Sequence, residues 1–279
     1  MIENYRIIPR RKNLFGNLKA NTILVIINVA VFVLLRIFPS LLNYFALSPL
    51  NILQGKLIWT LLTSMFSHAA FVHLAFNMIS LFFVGVLVEK ILGPKRYVLF
   101  YLASGLFAGI VFVLLSGFFG NAGIGERIFG NPSILAVGAS GAIFGLVGML
   151  AVLIPKRRIY LIAGPLIAII IQIILQTFLP GMPLSEVFYF LINIYIFASI
   201  FLMFSFNSNI KKIILPLKMP FWLLPIIAIV PLIIVSLFMP LPIGNSAHFG
   251  GLLIGLIYGL YLKQKFPKKT QMISKVLSN

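Results

Sequence analysis

The stretch VGASGAIFG, Val137 to Gly145, opens an apolar run that continues to Ile154, and its reading decides the fold. A serine framed by Gly138 and Gly141 is out of character in a segment of bilayer-spanning texture, so its hydroxyl needs a reason to be there. The rest of the chain has the same texture: of 279 residues, 61% are hydrophobic and 9% are charged. A soluble domain of this length would need more polar surface than that to cover it. Apolar runs of roughly 18 to 24 residues, each enough for a hydrocarbon core of about 30 Å, predict eight membrane helices. They fall near 21–38, 69–89, 97–118, 138–154, 159–179, 184–206, 219–239 and 246–262. The expectation is an all-α polytopic membrane protein, with a basic segment over 1–20, a transmembrane domain over 21–262 and a basic tail over 263–279. No small-residue cleavage site follows the first run, so it reads as a retained span and not a removed signal peptide.

Charge orients the spans. The net charge is +18 from 22 Lys and Arg, and all of these but Arg36, Lys56 and Arg127 lie before the first span, at 90–96, 156–158 and 211–218, or after residue 262. Basic segments therefore alternate with loops nearly free of Lys and Arg, which by the positive-inside rule puts both termini in the cytoplasm. The same charge attracts the anionic leaflet of the lipid bilayer, and no basic domain is present to bind nucleic acid. There is no cysteine, hence no disulfide, thiolate nucleophile or thiolate metal site. Aspartate is absent too, which removes an intramembrane aspartyl dyad, and no His-Glu-x-x-His pair offers a zinc site. No cofactor and no metal is expected.

What remains is hydroxyl chemistry. In this orientation Ser140 sits in the first turn of the fourth span, near the outer surface. His73 and Asn77 of FVHLAFN, four apart on one helix face, start the second span at similar depth, and His248 of NSAHFGG starts the eighth. Gly251, Gly255 and Gly259 form a small-residue stripe on the eighth span, with His248 projecting from the same side, and Gly141, Gly145 and Gly148 form another beside Ser140. If the stripes meet, Ser140 meets His248. A serine hydroxyl is a weak nucleophile until a base takes its proton, which a neutral imidazole does. The four glutamates are Glu3 and Glu89 towards the cytoplasm and Glu126 and Glu186 by outer loops, so a Ser140–His248 dyad without a carboxylate is the economical reading. The Ser140 N–H, His73 and Asn77 would then meet the developing oxyanion. Each residue alone has a structural alternative: glycines glue any two helices, His73 and Asn77 bond neighbouring helices, Ser140 packs, and His248 caps its helix.

Together these residues resemble the rhomboid family of intramembrane serine proteases. The resemblance rests on HAAFVHLAFN (His68, His73, Asn77), GASG (Gly138 to Gly141) and AHFGGLLIG (Ala247 to Gly255), in the family's order, over about half the chain. It implies Ser140 as nucleophile, His248 as base, His73 and Asn77 as oxyanion donors, and His68 as a structural histidine bracing the first outer loop. Gly138, Gly141, Phe144 and Gly251 would be structural near the site. The implied partners are single-pass membrane protein substrates, cut near the outer face, in the membrane of a prokaryotic cell; the oligomeric state is left open.

Three departures stand out. Trp59-Thr60 replaces the Trp-Arg common in the family's outer loop; Phe144 replaces a tyrosine that stacks on the histidine; and three spans, not one, connect Ser140 to His248. The expected architecture is thus a rhomboid-like six-helix core with an extra helical hairpin between the serine and histidine helices. Two other functional classes fit the same text. One is a rhomboid-like, non-proteolytic membrane-helix-binding protein. The other is a small transporter, suggested by eight spans and by Pro225 and Pro231 in the seventh.

Overall fold

The computed structural model describes residues 19–178, 183–202, 216–238 and 244–278. Its principal helices are α1 (Ala20–Ile37), α2 (Phe71–Leu92), α3 (Pro94–Phe119), α4 (Gly123–Phe129), α5 (Ser140–Leu153), α6 (Ala163–Phe178), α7 (Pro183–Leu202), α8 (Leu224–Phe238), α9 (Asn245–Lys265) and α10 (Pro267–Ser278). The protein is an all-helical membrane protein, with a two-stranded ribbon among the described residues. Four helical segments among the described residues are long and apolar enough to cross a bilayer: Ala20–Ile37, Phe71–Leu92, Pro94–Phe119 and Phe221–Phe238. The others are shorter or, like α9, begin on a polar turn (Asn245, Ser246, His248). Residues 1–18 of the basic N-terminal segment, and Lys211 and Lys212, lie outside the described residues.

Helix α5 is the axis of the bundle. Gly141 to Ile143 and Gly145 to Leu150 are all buried, and the core gathers around it from α2 and α3, with Leu81, Val88, Tyr97 and Tyr101 fully enclosed. Lipid tails give no hydrophobic drive between helices, so this packing is held by close van der Waals contact, which small residues permit. A methyl on Gly251 would overlap the carbonyl of Gly141, one on Gly255 the carbonyl of Gly145, and one on Gly259 would come within 3.1 Å of the Met149 carbonyl. These contacts step down both chains in the same order, so α5 and α9 run parallel with their backbones touching. Helix α3 crosses the other side of α5 in the opposite direction, Ala108 against Gly141 and Ser104 against Gly145. With 14 residues, α5 rises only about 20 Å, less than a hydrocarbon core of about 30 Å. It can be that short because its neighbours, not lipid, surround it.

The expectation of uninterrupted helices over 159–179 and 219–239 is corrected at their first residues. Arg158–Ile162 (β1) and Pro216–Pro220 (β2) pair antiparallel, Arg158 opposite Pro220 and Tyr160 opposite Lys218. Hydropathy alone does not separate a short strand from a helix end, and Ile159, Tyr160 and Ile162 are strand formers. Helices α6 and α7 pack on one another beyond this ribbon, α6 touching β2. The tail expected after residue 262 is also structured: α9 runs on to Lys265, and α10 folds back so that Ile273 and Leu277 join the core and Arg157 Nη1 donates to the Leu277 carbonyl at 3.2 Å.

Candidate active site

The loop from α1 to α2 is tied down by its own backbone acceptors. Arg36 Nη2 donates to the Ala69 carbonyl at 2.7 Å, Trp59 Nε1 to the Tyr44 carbonyl at 2.9 Å, and Thr63 Oγ1 to the Phe45 carbonyl at 2.9 Å. Thr60 donates to the Leu57 carbonyl at 2.7 Å, a local turn contact in place of a charged one. Leu47 pairs with Ala136, which binds this loop to the strand-like approach to Ser140. Arg36 is thus a tie between the end of α1 and the start of α2.

Gly138 has φ +133°, a conformation that side-chain-bearing residues rarely adopt. Its N–H donates to the Ser64 carbonyl at 2.9 Å. A Cβ there would meet His73 Nε2 at 2.8 Å and lie 3.7 Å from Ser140 Oγ, so the imidazole of His73 and the hydroxyl of Ser140 face the same bare glycine. The next amide, Ala139 N–H, donates to His68 Nε2 at 3.5 Å, a long contact. Only a neutral imidazole accepts in this way, and burial, with His73 second, pushes the pKa of His68 down to about 3 against a small upward pull from the Phe66 carbonyl. His68 thus touches the serine turn as well as the outer loop. Its ring meets that of His73 edge-on at 5.0 Å.

Ser140 is the first residue of α5, so its N–H and the next ones have no partner four residues back. Its Oγ lies 2.8 Å from His248 Nε2 across the α5–α9 contact. His248 is 9% exposed, and its Nδ1 has no hydrogen-bond partner. The ring is instead held flat against Phe144, centroids 4.5 Å apart and planes 25° apart. The dropped hydroxyl at position 144 therefore leaves stacking intact. Asn77 is buried and its Nδ2 donates to the His73 carbonyl at 2.9 Å, which occupies one of its two N–H groups. The structure thus brings together Ser140, His248, His73, Gly138, Phe144 and His68, with Asn77 one turn below His73. This arrangement can move a proton from Oγ to Nε2 and presents a helix N-terminus beside the resulting alkoxide.

Two contributors were missed from the sequence. The Glu89 carboxylate, at the far end of α2, accepts from the free N–H groups of Ala20 (2.9 Å) and Asn21 (3.1 Å), capping α1 from 69 positions away. Beside it Tyr97 Oη donates to Asn21 Oδ1 at 2.6 Å. The hint lay in an asparagine and a glutamate at the same end of two spans.

Residues 55–190 and 192–265 match the family described as Rhomboid domain. RHOMBOID-like protein 12, mitochondrial, of Arabidopsis thaliana is 35% identical over 144 residues, 50% of this chain and 42% of that protein. Rhomboid protease GluP of Bacillus subtilis (strain 168) is 38% identical over 111 residues, 39% of this chain and 18% of GluP. Inactive RHOMBOID-like protein 8 of Arabidopsis thaliana is 34% identical over 125 residues, 44% of this chain and 31% of that protein. The matched stretches span less than half the length of each relative.

Proposed function

Because the chain belongs to the rhomboid family, we propose that it is an intramembrane serine endopeptidase working through a Ser140–His248 dyad. The observation that carries this reading is the 2.8 Å approach of Ser140 Oγ to His248 Nε2 at the mouth of two parallel helices. As Oγ attacks a substrate carbonyl carbon, Nε2 takes its proton; the carbonyl π electrons move to oxygen and a tetrahedral oxyanion forms. The Ser140 N–H, His73 and the free N–H of Asn77 meet that charge. Collapse breaks the C–N bond, and Nε2–H delivers its proton to the leaving amine. Water, deprotonated by the same imidazole, then releases the acyl group and restores Ser140. No carboxylate takes part, in keeping with the unpartnered Nδ1 of His248; stacking on Phe144 orients the ring instead.

In this reading α1, α2, α3, α5, α8 and α9 form a six-helix core, and α6 with α7 is an inserted hairpin, which makes eight spans. From the start of α5 to the start of α9 the chain crosses four times, through α5, α6, α7 and α8, and this even number keeps Ser140 and His248 at the same, outer face. Both termini are cytoplasmic, the host membrane is that of a prokaryotic cell, and the domain limits are 1–20, 21–262 and 263–279. The substrates are single-pass membrane proteins whose helix unwinds enough near its outer end to offer an extended strand at Gly138, where no side chain intervenes.

The test is cleavage of a labelled single-pass substrate in proteoliposomes by the parent, Ser140→Ala and His248→Ala proteins, with mass spectrometry of the products. Cleavage by the parent alone supports the reading. Equal cleavage by either variant overturns the dyad. A parent that retains the substrate helix without cutting it favours a non-proteolytic role, as the name of the inactive Arabidopsis relative allows.

A further inference from the structure

At the opposite end of α5 from Ser140 a cleft of about 400 Å³ opens between the end of α2, the start of α3, the last turns of α5 and α9, and α10. Its inner wall is apolar, from Ile91, Leu153 and Ile273. Three cations, Arg96, Lys265 and Lys269, stand on its rim, and no acidic side chain lines it. Lys265 is held over the opening by Tyr261, whose Oη accepts from Nζ at 2.5 Å, and by the faces of Tyr261 and Phe266 at 5.1 and 5.8 Å. The rim therefore concentrates positive charge above an apolar pocket.

Helix α10 supplies an independent observation. One face, Thr270, Ile273 and Leu277, is turned to the protein. Met272 and Val276, four residues apart, are 62% and 68% exposed, flanked by Lys268, Lys269 and Lys275. An amphipathic helix with bare apolar side chains beside lysines lies in the headgroup layer of an anionic leaflet. The cleft that α10 roofs is therefore at headgroup level. A free phosphate there would match the rim and leave the apolar wall against water; a zwitterionic lipid would match the wall and leave the cations without a net counter-charge.

We propose that the cleft under α10 is a binding site for one anionic phospholipid, its phosphate among Arg96, Lys265 and Lys269 and one acyl chain along Ile91, Leu153 and Ile273. The bound lipid clamps α10 to the cytoplasmic ends of α5 and α9.

The full chain, in neutral detergent micelles doped with phosphatidylglycerol or phosphatidylcholine, is measured by native mass spectrometry and by thermal unfolding; neither readout depends on proteolysis. The expected result is retention of one phosphatidylglycerol with a raised Tm, and no comparable retention of phosphatidylcholine. Each cation removed should weaken retention about fivefold, so Lys265→Gln/Lys269→Gln should lose roughly 25-fold while Lys265→Arg/Lys269→Arg keeps it. The Tm of the Gln variant without lipid reports whether its fold is intact, and Arg96→Gln repeats the test at a separate position. Equal retention of the two lipids, or undiminished retention by the intact Gln variants, overturns the proposal. So does displacement of phosphatidylglycerol by millimolar inorganic phosphate, which would make the cleft a phosphate site.

Discussion

Gly255→Ala tests the idea that the dyad is built by backbone contact between α5 and α9. A methyl at position 255 would overlap the carbonyl oxygen of Gly145 and lie 2.9 and 3.0 Å from its carbonyl carbon and Cα. Contact between carbons is comfortable at roughly 3.5–4.0 Å, and every atom it meets is backbone, so the helices themselves must part by about 0.5–1 Å. Ser140 Oγ and His248 Nε2 are 2.8 Å apart on the same two helices, two turns away. Opening the pair by that much stretches the contact to about 3.3–3.8 Å, well beyond the usual length for a hydroxyl donor, so the proton is handed over poorly. A misplacement of about 1 Å costs turnover on the order of 10²-fold, and the overpacking costs about 1–3 kcal/mol of stability. The assay is kcat and Tm in one detergent, with Gly244→Ala as control, because a Cβ there meets only Ala247 Cβ at an ordinary 3.6 Å. A Gly255→Ala protein with parental kcat and Tm would refute the reasoning.

Three further outcomes are expected. Asn77→Ala should lower kcat about 10²-fold with KM and Tm little changed, since an oxyanion contact exists mainly in the transition state; loss of Tm at an unchanged rate per folded molecule would make Asn77 a packing residue. The folded pKa of His68, about 3, lies below its unfolded value of about 6.5. The unfolded chain then binds more protons between these values, so stability is whole above pH 6.5 and falls by up to about 1.4 kcal/mol per pH unit on acidification towards 3. The Tm should drop with pH across that window, less steeply in His68→Asn, and an identical slope would remove the account of His68. Reporters fused after Lys156 and in the C-terminal tail should read cytoplasmic and those near Lys56 and Gly123 external; an external tail contradicts the orientation.

The legible part of the fold was periodic. Glycines at steps of four on α9 and a glycine cluster on α5 mark two backbones able to touch, which sets Ser140 against His248 once the two stripes are each other's partners. The ring at position 144 is placed by the resemblance to the rhomboid family, whose members carry an aromatic ring four residues after the serine. The illegible part depended on partners distant in sequence or on backbone geometry. Nothing local in Glu89 says that it caps α1, nor in Arg36 that it reaches Ala69. The positive φ of Gly138 goes with an N–H bonded to Ser64 and with the His73 imidazole standing where a Cβ would be, neither of which is adjacent in sequence. The ribbon Arg158–Ile162 with Pro216–Pro220 pairs two short segments 58 positions apart, and neither carries a local sign of the other. Helix α10 escaped notice because a lysine-rich tail reads as solvated until Ile273 and Leu277 are seen against the core.

The central claim, a serine made nucleophilic by His248 alone, is tested most directly by covalent labelling with a fluorophosphonate probe in detergent, with the adduct located by mass spectrometry. The account predicts one adduct, on Ser140, absent in Ser140→Ala and strongly slowed in His248→Ala, while Glu126→Gln labels at the parental rate. An adduct on another residue, or labelling of Ser140 at the parental rate without His248, would contradict it.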